Sequence, residues 1–412
     1  MDDLIIGLDI GSTKVCAIIA ECTDKNTVNV LGVGIAPSGD GIKSGGIVDI
    51  ERTTRAIIEA ISEADKSYPN VVIQSAYVGI AGAHINSINS CGEVDIKGNN
   101  QEITVEDIDK AVENAKTLIS IPPHQDIIHI LPREFVVDEQ KEIMNPTGMV
   151  GSRLEAHVHI VTGAINAIQN IIKCCEKAEI KVEELVLQPY ASSLAVLNED
   201  EKKLGVCLVD IGGGTTDLVI YQNGCVVYSG CINVGGKTIT NDLAIVLKAS
   251  SQLAEKLKID YGVALRDQAD ETKMHEIQGP AGESVEPQSE RYISEIIEQR
   301  LEEIFQDIRK HIEEHIPDPD NMLPAGIVLT GGTSLTKYCA KQASEIFGLP
   351  VRIGTPINIT GATEKISNPQ FSTAIGLIRY GAQKERSSDQ TKKSPTGFFA
   401  YIKSMLEKFF TN

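Results

Sequence analysis

The 412-residue sequence has no tryptophan, only 4% aromatic residues, and few basic residues for its length. Its 38 lysines and arginines face 57 aspartates and glutamates, which gives a formal charge of -19 at pH 7. A general nucleic-acid binder needs a cationic surface that displaces counterions from phosphate. The charge argues against that class of protein, so any anionic ligand must be met by a local group of donors.

A disulfide framework, an export signal and a membrane-spanning run are also missing. The nine cysteines include no CxxC pair, which is typical of a reducing cytosol and predicts small buried side chains. Asp9 interrupts the first apolar run, where a signal peptide would be uncharged. The two longest uncharged stretches, residues 67–92 and 218–236, contain too many polar residues to cross a bilayer as helices.

One short pattern occurs twice, once in each half of the sequence. Residues 4–19 read LIIGLDIGSTKVCAII, and residues 204–221 read LGVCLVDIGGGTTDLVIY. In each copy an apolar run ends in an aspartate, and a glycine-containing turn leads into a second apolar run. The pattern predicts two β-hairpins, and its repetition predicts two similar lobes.

Two such hairpin tips can hold a polyphosphate from both sides. A tight glycine turn presents several backbone N–H groups in one direction, and neighbouring hydroxyls add donors. The carboxylates of Asp9 and Asp210 are placed to hold Mg²⁺ directly or through water. The alternative is a strand that merely ends in a turn, and the second copy weakens it. The candidate phosphate-binding residues are Gly11, Ser12, Thr13, Lys14, Gly212, Gly213, Gly214, Thr215 and Thr216.

Two common nucleotide motifs are not matched. Residues 231–238 read CINVGGKT and have Cys231 where a P-loop requires glycine, so we interpret them as a strand-to-helix turn. The triple-glycine run fails the Rossmann pattern because Asp217 stands where the last glycine belongs.

The rest of the chain divides into recognisable segments. Residues 86–161 have the character of an inserted module, with a helix predicted over 106–118. Further helices are predicted over 164–178, 238–258 and 294–315, an exposed loop or hairpin over 267–290, and a strand over 327–330. The globular part is expected to end near Ala382. Residues 383–395 contain no large apolar side chain and predict a flexible linker.

The motifs GLDIGSTKV and LVDIGGGTTDL resemble the two phosphate loops of the actin-like ATPase superfamily, and IVLTGGTSL resembles its adenosine loop. This resemblance implies an α/β fold of two ribonuclease H-like lobes, with ATP and Mg²⁺ in the cleft between them. It places Gln188 where a residue orients the attacking water, with slow hydrolysis. It assigns adenosine contacts to Gly331, Gly332, Thr333, Glu255 and Lys258.

Longer runs, at residues 41–57, 145–163 and 296–305, are similar to the FtsA family of bacterial cell-division actin homologues. The resemblance implies self-assembly through domains 1C and 2B, binding of the carboxy-terminal peptide of FtsZ, and contacts with other division proteins. The implied domains are 1A at 1–85 and 162–192, an SHS2-type 1C at 86–161, 2A at 193–232 and 316–382, and 2B at 233–315.

The end of the sequence has a different composition from the body. Four of the eight phenylalanines fall in the last 15 residues, and residues 383–412 carry six basic and three acidic side chains. Residues 396–412 predict an amphipathic helix that lies in an anionic inner-membrane surface and is too short to span it. Docking on the chain's own core or on a partner is the alternative, which the polar linker and the aromatic load disfavour. The apolar face comprises Phe398, Phe399, Ile402, Met405, Leu406, Phe409 and Phe410.

Three further candidates have structural alternatives. Arg300 lies where FtsA relatives receive the FtsZ peptide, but a surface ion pair with Glu303 or Glu298 is equally supported. The run from His311 to His315 matches a zinc-protease pattern, although a solvated helix face is favoured. His157 and His159 share a strand face, and we expect a structural role for both.

These observations together predict an adaptor at the division site. Its nucleotide would hold the lobes together, and its tail would tie FtsZ filaments to the cytoplasmic face of the inner membrane. A small-molecule kinase of the same superfamily is the enzyme alternative. A pilus-assembly adaptor similar to PilM is a third possibility, disfavoured by the tail and by the run at residues 145–163.

Overall fold

The computed structural model describes residues 4–22, 27–68, 73–97, 100–361 and 366–391, with side chains to residue 386. The first lobe begins with β1 (Leu4–Ile10), β2 (Lys14–Cys22), β3 (Val28–Pro37), β4 (Ile42–Lys43), β5 (Gly46–Ile47), α1 (Ile50–Ser67) and β6 (Ser75–Ile80). The insertion contains β7 (Asn86–Asp95), α2 (Val105–Thr117), β8 (Gln125–Val137), β9 (Gln140–Ile143) and β10 (Arg153–Ala164). The first lobe resumes with α3 (Ile165–Lys177), β11 (Lys181–Leu187) and α4 (Gln188–Val196).

The second half of the chain forms a second lobe and returns to the first at its end. Its elements are α5 (Glu199–Leu204), β12 (Val206–Ile211), β13 (Thr216–Gln222), β14 (Cys225–Ile232), α6 (Gly236–Val246), α7 (Ser251–Tyr261), β15 (Met274–Gln278), β16 (Ser284–Ser289), α8 (Glu290–His315), α9 (Pro319–Met322), β17 (Ile327–Thr330), α10 (Cys339–Phe347) and β18 (Val351–Ile353). The final elements are β19 (Ile359–Gly361) and α11 (Ser372–Thr391).

The two large sheets repeat one topology. The first has the order β11-β6-β1-β2-β3-β19, and the second has the order β14-β13-β12-β17-β18. In each, three successive strands pair antiparallel, and the first of them pairs in parallel with a later strand. This confirms the predicted hairpins β1–β2 and β12–β13 and the mixed α/β architecture of two similar lobes.

The buried apolar side chains form three clusters. The first and largest fills the first lobe and continues onto one face of the second lobe's sheet, where it includes Val206, Leu208 and Val219. The other two fill the rest of the second lobe and the insertion. The first cluster includes residues of α11, whose Gly376 lies so close to α4 that an added Cβ would be 1.8 Å from the Ala191 carbonyl oxygen. None of the nine cysteines, all of which lie in the described ranges, forms a disulfide, and six of them are buried, as the sequence predicted.

The insertion is a four-stranded antiparallel sheet in the order β7-β10-β8-β9, with α2 on one face. Thr104 and Asp107 form a reciprocal capping box that starts α2. Gly92 lets the helix approach, since a Cβ there would lie 2.1 Å from the Ala111 carbonyl oxygen. The opposite face of the sheet is therefore free to meet the second lobe.

His159 connects the insertion to the second lobe. Its Nδ1 lies 2.8 Å from Asn89 Oδ1, and its Nε2 lies 2.9 Å from Ser229 Oγ on β14. The ring is buried, and burial lowers its pKa to about 3. The expected structural role of His159 is thereby confirmed, because the neutral ring bonds groups from two units at once.

Two expectations about helices are wrong. The predicted helix over 238–258 is two helices, because the backbone at Lys248 turns left-handed (φ 52) and Ser250 caps α7 by accepting from the Leu253 N–H. The expected linker at 383–395 is helical as far as Thr391. Its first side chains pack on the first lobe, with Lys384 Nζ 3.1 Å from Glu184 Oε2.

Candidate functional site

The two hairpin tips have the same turn. In the first, the Gly11 N–H donates to the Lys14 carbonyl at 2.9 Å. In the second, the Gly212 N–H donates to the Thr215 carbonyl at the same distance, 2.9 Å. The duplicated sequence therefore gives duplicated geometry, in which the aspartate stands two residues before the turn.

The tips meet each other across the lobes. A Cβ on Gly213 would lie 2.6 Å from Thr13 Cγ2, and a Cβ on Gly214 would lie 2.7 Å from Ser12 Oγ. Real Cβ atoms do not come this close to other atoms, so a side chain at either position would displace a side chain of the first tip, and glycine allows the closest approach of the two tips. The close approach brings the backbone donors of both lobes to one place.

A cleft of about 500 Å³ lies at this junction. It brings together most of the residues that the sequence and the family resemblance pointed to. They are Asp9, Gly11, Ser12, Thr13, Lys14, Gln188, Asp210, Gly212, Gly213, Gly214, Thr215, Glu255, Lys258, Gly331, Gly332 and Thr333.

Three carboxylates lie at the bottom of the cleft. Burial raises the pKa of Asp9 to about 7, although the Lys14 charge opposes the shift. Burial also raises the pKa of Asp217 to about 7 and raises that of Asp210. Gln188 Nε2 donates to Asp9 Oδ1 at 3.1 Å. The carboxylates raise one another's pKa, so the site favours a bound cation.

Asp210 is held by two hydroxyls that sequence reasoning missed. Ser192 Oγ donates to Asp210 Oδ2 at 2.7 Å, and Thr373 Oγ1 donates to the same oxygen at 3.3 Å. The sequence analysis also did not identify Asp217 as a residue of this site. It noted only that Asp217 stands where the Rossmann pattern requires a glycine. Its position in the second hairpin, paired with Asp210 across the strands, was the signal that could have found it.

Lys14 brings a buried positive charge to the site. Its Nζ is buried and has no hydrogen-bond partner among the described residues, and it lies 3.9 Å from the centre of the Phe371 ring. Burial lowers the pKa of this amine. A buried ammonium without an acceptor is costly, whereas a phosphate oxygen would supply the acceptor.

A second lysine, Lys237, approaches the cleft from the start of α6. Its Nζ donates to the Ser12 carbonyl at 2.6 Å, which joins the second lobe to the first tip. The Gly236 N–H donates to the Gly212 carbonyl at 2.9 Å. Sequence reasoning treated this GGKT run only as a strand-to-helix turn, and the turn is confirmed, but its place beside both tips was missed.

The loop that follows β17 lies beside the second tip and leaves open space at Gly332. A Cβ on Gly332 would meet no atom within 4 Å, whereas one on Gly331 (φ 84) would lie 2.4 Å from Asp210 Oδ1. Thr333 Oγ1 donates to the Gly212 carbonyl at 3.1 Å. Lys258 Nζ lies 2.7 Å from Glu255 Oε2, so these two predicted adenosine contacts already form an ion pair.

Two predicted site residues lie outside the cleft. Thr216 is fully buried and donates to the Val234 carbonyl at 2.8 Å, so its hydroxyl does not face the tips. Arg300 on α8 forms an ion pair with Glu303, as one of the two interpretations predicted. It also forms a bidentate ion pair with Asp242 on α6. Its role in binding FtsZ stays a prediction.

The two histidines of the zinc-protease pattern form hydrogen bonds within the protein. His311 Nε2 lies 2.6 Å from the Tyr228 hydroxyl, and His315 Nδ1 lies 2.8 Å from the His311 carbonyl oxygen.

The apolar tail from Phe398 to Phe410 lies outside the described residues. Within the described ranges no helix is both long and apolar enough to cross a membrane.

Comparison with known proteins places the chain in a family. Residues 207–376 match the family model of cell division protein FtsA, and residues 82–162 match that of the SHS2 domain inserted in FtsA. The cell division protein FtsA of Pseudomonas aeruginosa is 41% identical over 394 residues, which are 96% of this chain and 92% of that protein. The chain belongs to the FtsA family. As a member of this family, it has a role in cell division.

Solved structures share the fold of this chain. The PilM–PilN type IV pilus biogenesis complex is similar with a TM-score of 0.67 and 17% identity, covering 92% of this chain and 99% of that one. MreB5 of Spiroplasma citri bound to ADP is similar with a TM-score of 0.57 and 15% identity, covering 95% and 99%. Residues 132–270 also match the PilM family model. These likenesses show the actin-like fold, and the family model over residues 82–162 shows the SHS2 insertion.

Proposed function

We propose that this protein binds Mg²⁺-ATP between its lobes, assembles into filaments, and holds FtsZ filaments at the cytoplasmic face of the inner membrane. The observation that carries the proposal is the cleft where the two hairpin tips meet. Lys14 lines this cleft, and its buried amine has no hydrogen-bond partner among the described residues. A triphosphate at this place would contact both lobes and favour their closed arrangement. The nucleotide would thus serve mainly to control assembly.

The residues of the cleft fit this nucleotide. The backbone N–H groups of the tips, Lys14 and Lys237 supply donors for the phosphates. Asp9 and Asp210 supply oxygens for Mg²⁺, which keeps several waters and needs few protein ligands. Among the described residues, no metal-binding trio includes either aspartate, so we expect contacts partly through water. When bound, ATP supplies the negative charge that joins the two lobes.

Turnover is a secondary part of the proposal. Gln188 is the proposed water-orienting residue, and its amide donates to Asp9 Oδ1 and approaches the Ile10 carbonyl. An amide can orient a water molecule but is a poor proton acceptor. Hydrolysis is therefore expected to be slow.

Membrane attachment rests on the composition of residues 396–412. An apolar helix face with flanking basic residues partitions into an anionic bilayer surface. A single anchor of this length binds reversibly, so assembly through domains 1C and 2B would make the attachment stable by joining many anchors. Arg300 would take part in receiving the FtsZ peptide, and other division proteins would join the same assembly.

A vesicle experiment tests the whole proposal. Intact protein and a chain ending at Pro395 are each sedimented with anionic vesicles, Mg²⁺-ATP and FtsZ. We expect FtsZ to sediment with vesicles only in the presence of the intact chain. If the shortened chain recruits FtsZ to vesicles equally well, the assignment of the anchor is wrong.

A second measurement isolates the cleft. Asp210→Asn keeps an acceptor for Ser192 but removes the charge, and we expect calorimetry to show Mg²⁺-ATP affinity at least about tenfold lower. Asp40→Asn is the matched control, since that side chain is 95% exposed. Unchanged affinity in Asp210→Asn would remove the cleft from the proposal.

A further inference from the structure

A row of metal-ligating side chains crosses the insertion on the face opposite α2. Cys91 on β7 lies directly opposite His157 on β10, and His157 lies opposite Glu134 on β8. Glu155 stands two residues before His157 and therefore on the same face. Directly opposed residues have Cβ atoms about 4.5–5.5 Å apart, so three neighbouring strands bring these groups together.

The ligating atoms are close enough to share one ion. His157 Nε2 lies 3.6 Å from Glu155 Oε2, and Cys91 Sγ lies 3.8 Å from the same oxygen. The ligand atoms of Cys91, Glu155 and His157 all lie within 4.8 Å of one another. Two ligands about 2.0–2.3 Å from a tetrahedral Zn²⁺ lie about 3.3–3.8 Å apart, so only small movements are needed.

Neighbouring polar side chains orient His157 and Glu155. His157 Nε2 is buried and has no hydrogen-bond partner among the residues that the structure describes. The other ring nitrogen, Nδ1, faces Glu134 Oε1 at 3.9 Å. Arg153 holds the second oxygen of Glu155 at 2.9 Å. A carboxylate behind a histidine ligand is a common outer-shell feature of metal sites, because it fixes the ring orientation.

We propose that Cys91, Glu155 and His157 form a binding site for a divalent transition metal, with Zn²⁺ as its resident ion. A sulfur, a nitrogen and one carboxylate oxygen favour Zn²⁺ over Mg²⁺, which selects oxygen ligands. A water completes the coordination, and Glu134 acts as a positioning residue. The ion joins β7 to β10 on the face that also carries His159 and Asn89, and it stiffens the contact of the insertion with the second lobe.

A metal titration of the full chain tests this site. Metal-stripped protein is titrated with Co²⁺ and then with Zn²⁺. We expect one equivalent of Co²⁺ to give a thiolate-to-cobalt charge-transfer band, which Zn²⁺ displaces. Cys91→Ser should abolish the band, and His157→Gln should weaken Zn²⁺ binding more than about tenfold. Zn²⁺ should raise the melting temperature of the parent chain but not that of Cys91→Ser.

Matched variants decide where the ion is bound. His315→Ala alters the other described group with metal-ligand spacing, His311, Glu314 and His315, and should leave the binding unchanged. A charge-transfer band that persists in Cys91→Ser, or binding lost in His315→Ala, would overturn the proposal. If Cys91→Ser melts lower without metal, His157→Gln decides alone, and unchanged Zn²⁺ affinity in that variant would also overturn it.

Discussion

At the scale of single residues, the cleft depends on atoms that nearly touch across two lobes. The Gly213 position and Thr13 Cγ2 leave no room for a methyl group, since a Cβ would lie 2.6 Å from that carbon. The sequence alone does not predict this contact, because the two residues are 200 positions apart. The relation between them can be tested directly by a pair of substitutions.

We predict that Gly213→Ala weakens Mg²⁺-ATP binding and that Thr13→Ser partly restores it. The added methyl pushes the tips apart, and the serine removes the carbon it would meet. Calorimetry on the parent, both single variants and the double variant gives the coupling between the positions. Purely additive losses would contradict the facing arrangement of the tips.

The raised pKa of Asp9 predicts a pH dependence of stability. The folded chain holds a proton on this carboxyl up to about pH 7, whereas the unfolded chain releases it near pH 3.8. The stability from the protonated form is therefore present at low pH and lost as pH rises through about 7. Asp9→Asn cannot ionise, so its melting temperature without nucleotide should exceed that of the parent chain by more at pH 8 than at pH 5.

The control for this pH profile is Asp40→Asn, whose exposed carboxyl should give the same difference at both pH values. Thermal melting followed by fluorescence dye binding is sufficient, provided that Mg²⁺ and nucleotide are absent. A gain from Asp9→Asn that is equal at pH 5 and pH 8 would show that Asp9 is ionised at both.

Some of the site could be predicted from residues alone and some could not. Asp9 and Asp210 stand at the same place in a repeated motif, so their shared site follows from the repetition. Three further residues of the site lie outside the repeated motif, so only the folded chain shows that they are near the tips. They are Lys237, Ser192 and Thr373. The sequence did not show which way Thr216 points, and its hydroxyl donates to the Val234 carbonyl. Successive side chains of a strand point to opposite faces, so a shift of one residue decides whether a side chain faces the tips.

At the scale of elements, hydrophobic periodicity located most helices and strands within a few residues. It failed at residues 238–258, where Lys248 and Ser250 end one helix and start another within a continuous helical pattern. It also failed beyond Ala382, since polar side chains such as Lys384 can pack against a lobe through ion pairs. Periodicity reports apolar faces and does not detect polar docking.

The contact between the insertion and the second lobe gives an element-scale prediction. His159→Ala removes the ring that bonds Asn89 and Ser229, so two polar groups lose their partner. We expect the free energy of unfolding to fall by about 1–3 kcal/mol at pH 7.5, as measured by urea denaturation. His124→Ala, an exposed histidine of the insertion, should change it little.

The pH dependence of that loss has a defined sign. The pKa of His159 is lowered to about 3 by burial, so below pH 6.5 the unfolded chain binds a proton that the folded chain does not. The stability that neutral His159 provides is lost as pH falls below 6.5. The deficit of His159→Ala should therefore be smaller at pH 5 than at pH 7.5, and a deficit that grows on acidification would contradict the lowered pKa.

At the scale of the whole molecule, charge is divided between a strongly acidic body and a basic end. The chain carries -19 overall, yet residues 383–412 have three more basic than acidic side chains. An anionic bilayer therefore repels the body and attracts the tail. The proposed anchor depends on this division as much as on its apolar face.

We predict that Lys403→Gln with Lys408→Gln lowers binding to anionic vesicles. Each basic residue near such a surface contributes about 1 kcal/mol, so the double change should weaken binding roughly tenfold or more at low salt. The loss should shrink as salt increases, because salt screens the attraction that the substitutions remove. Lys110→Gln with Lys116→Gln, at an exposed and a half-buried position on α2, changes net charge equally and should have little effect. Equal losses in both pairs would mean that net charge, and not a basic end, governs attachment.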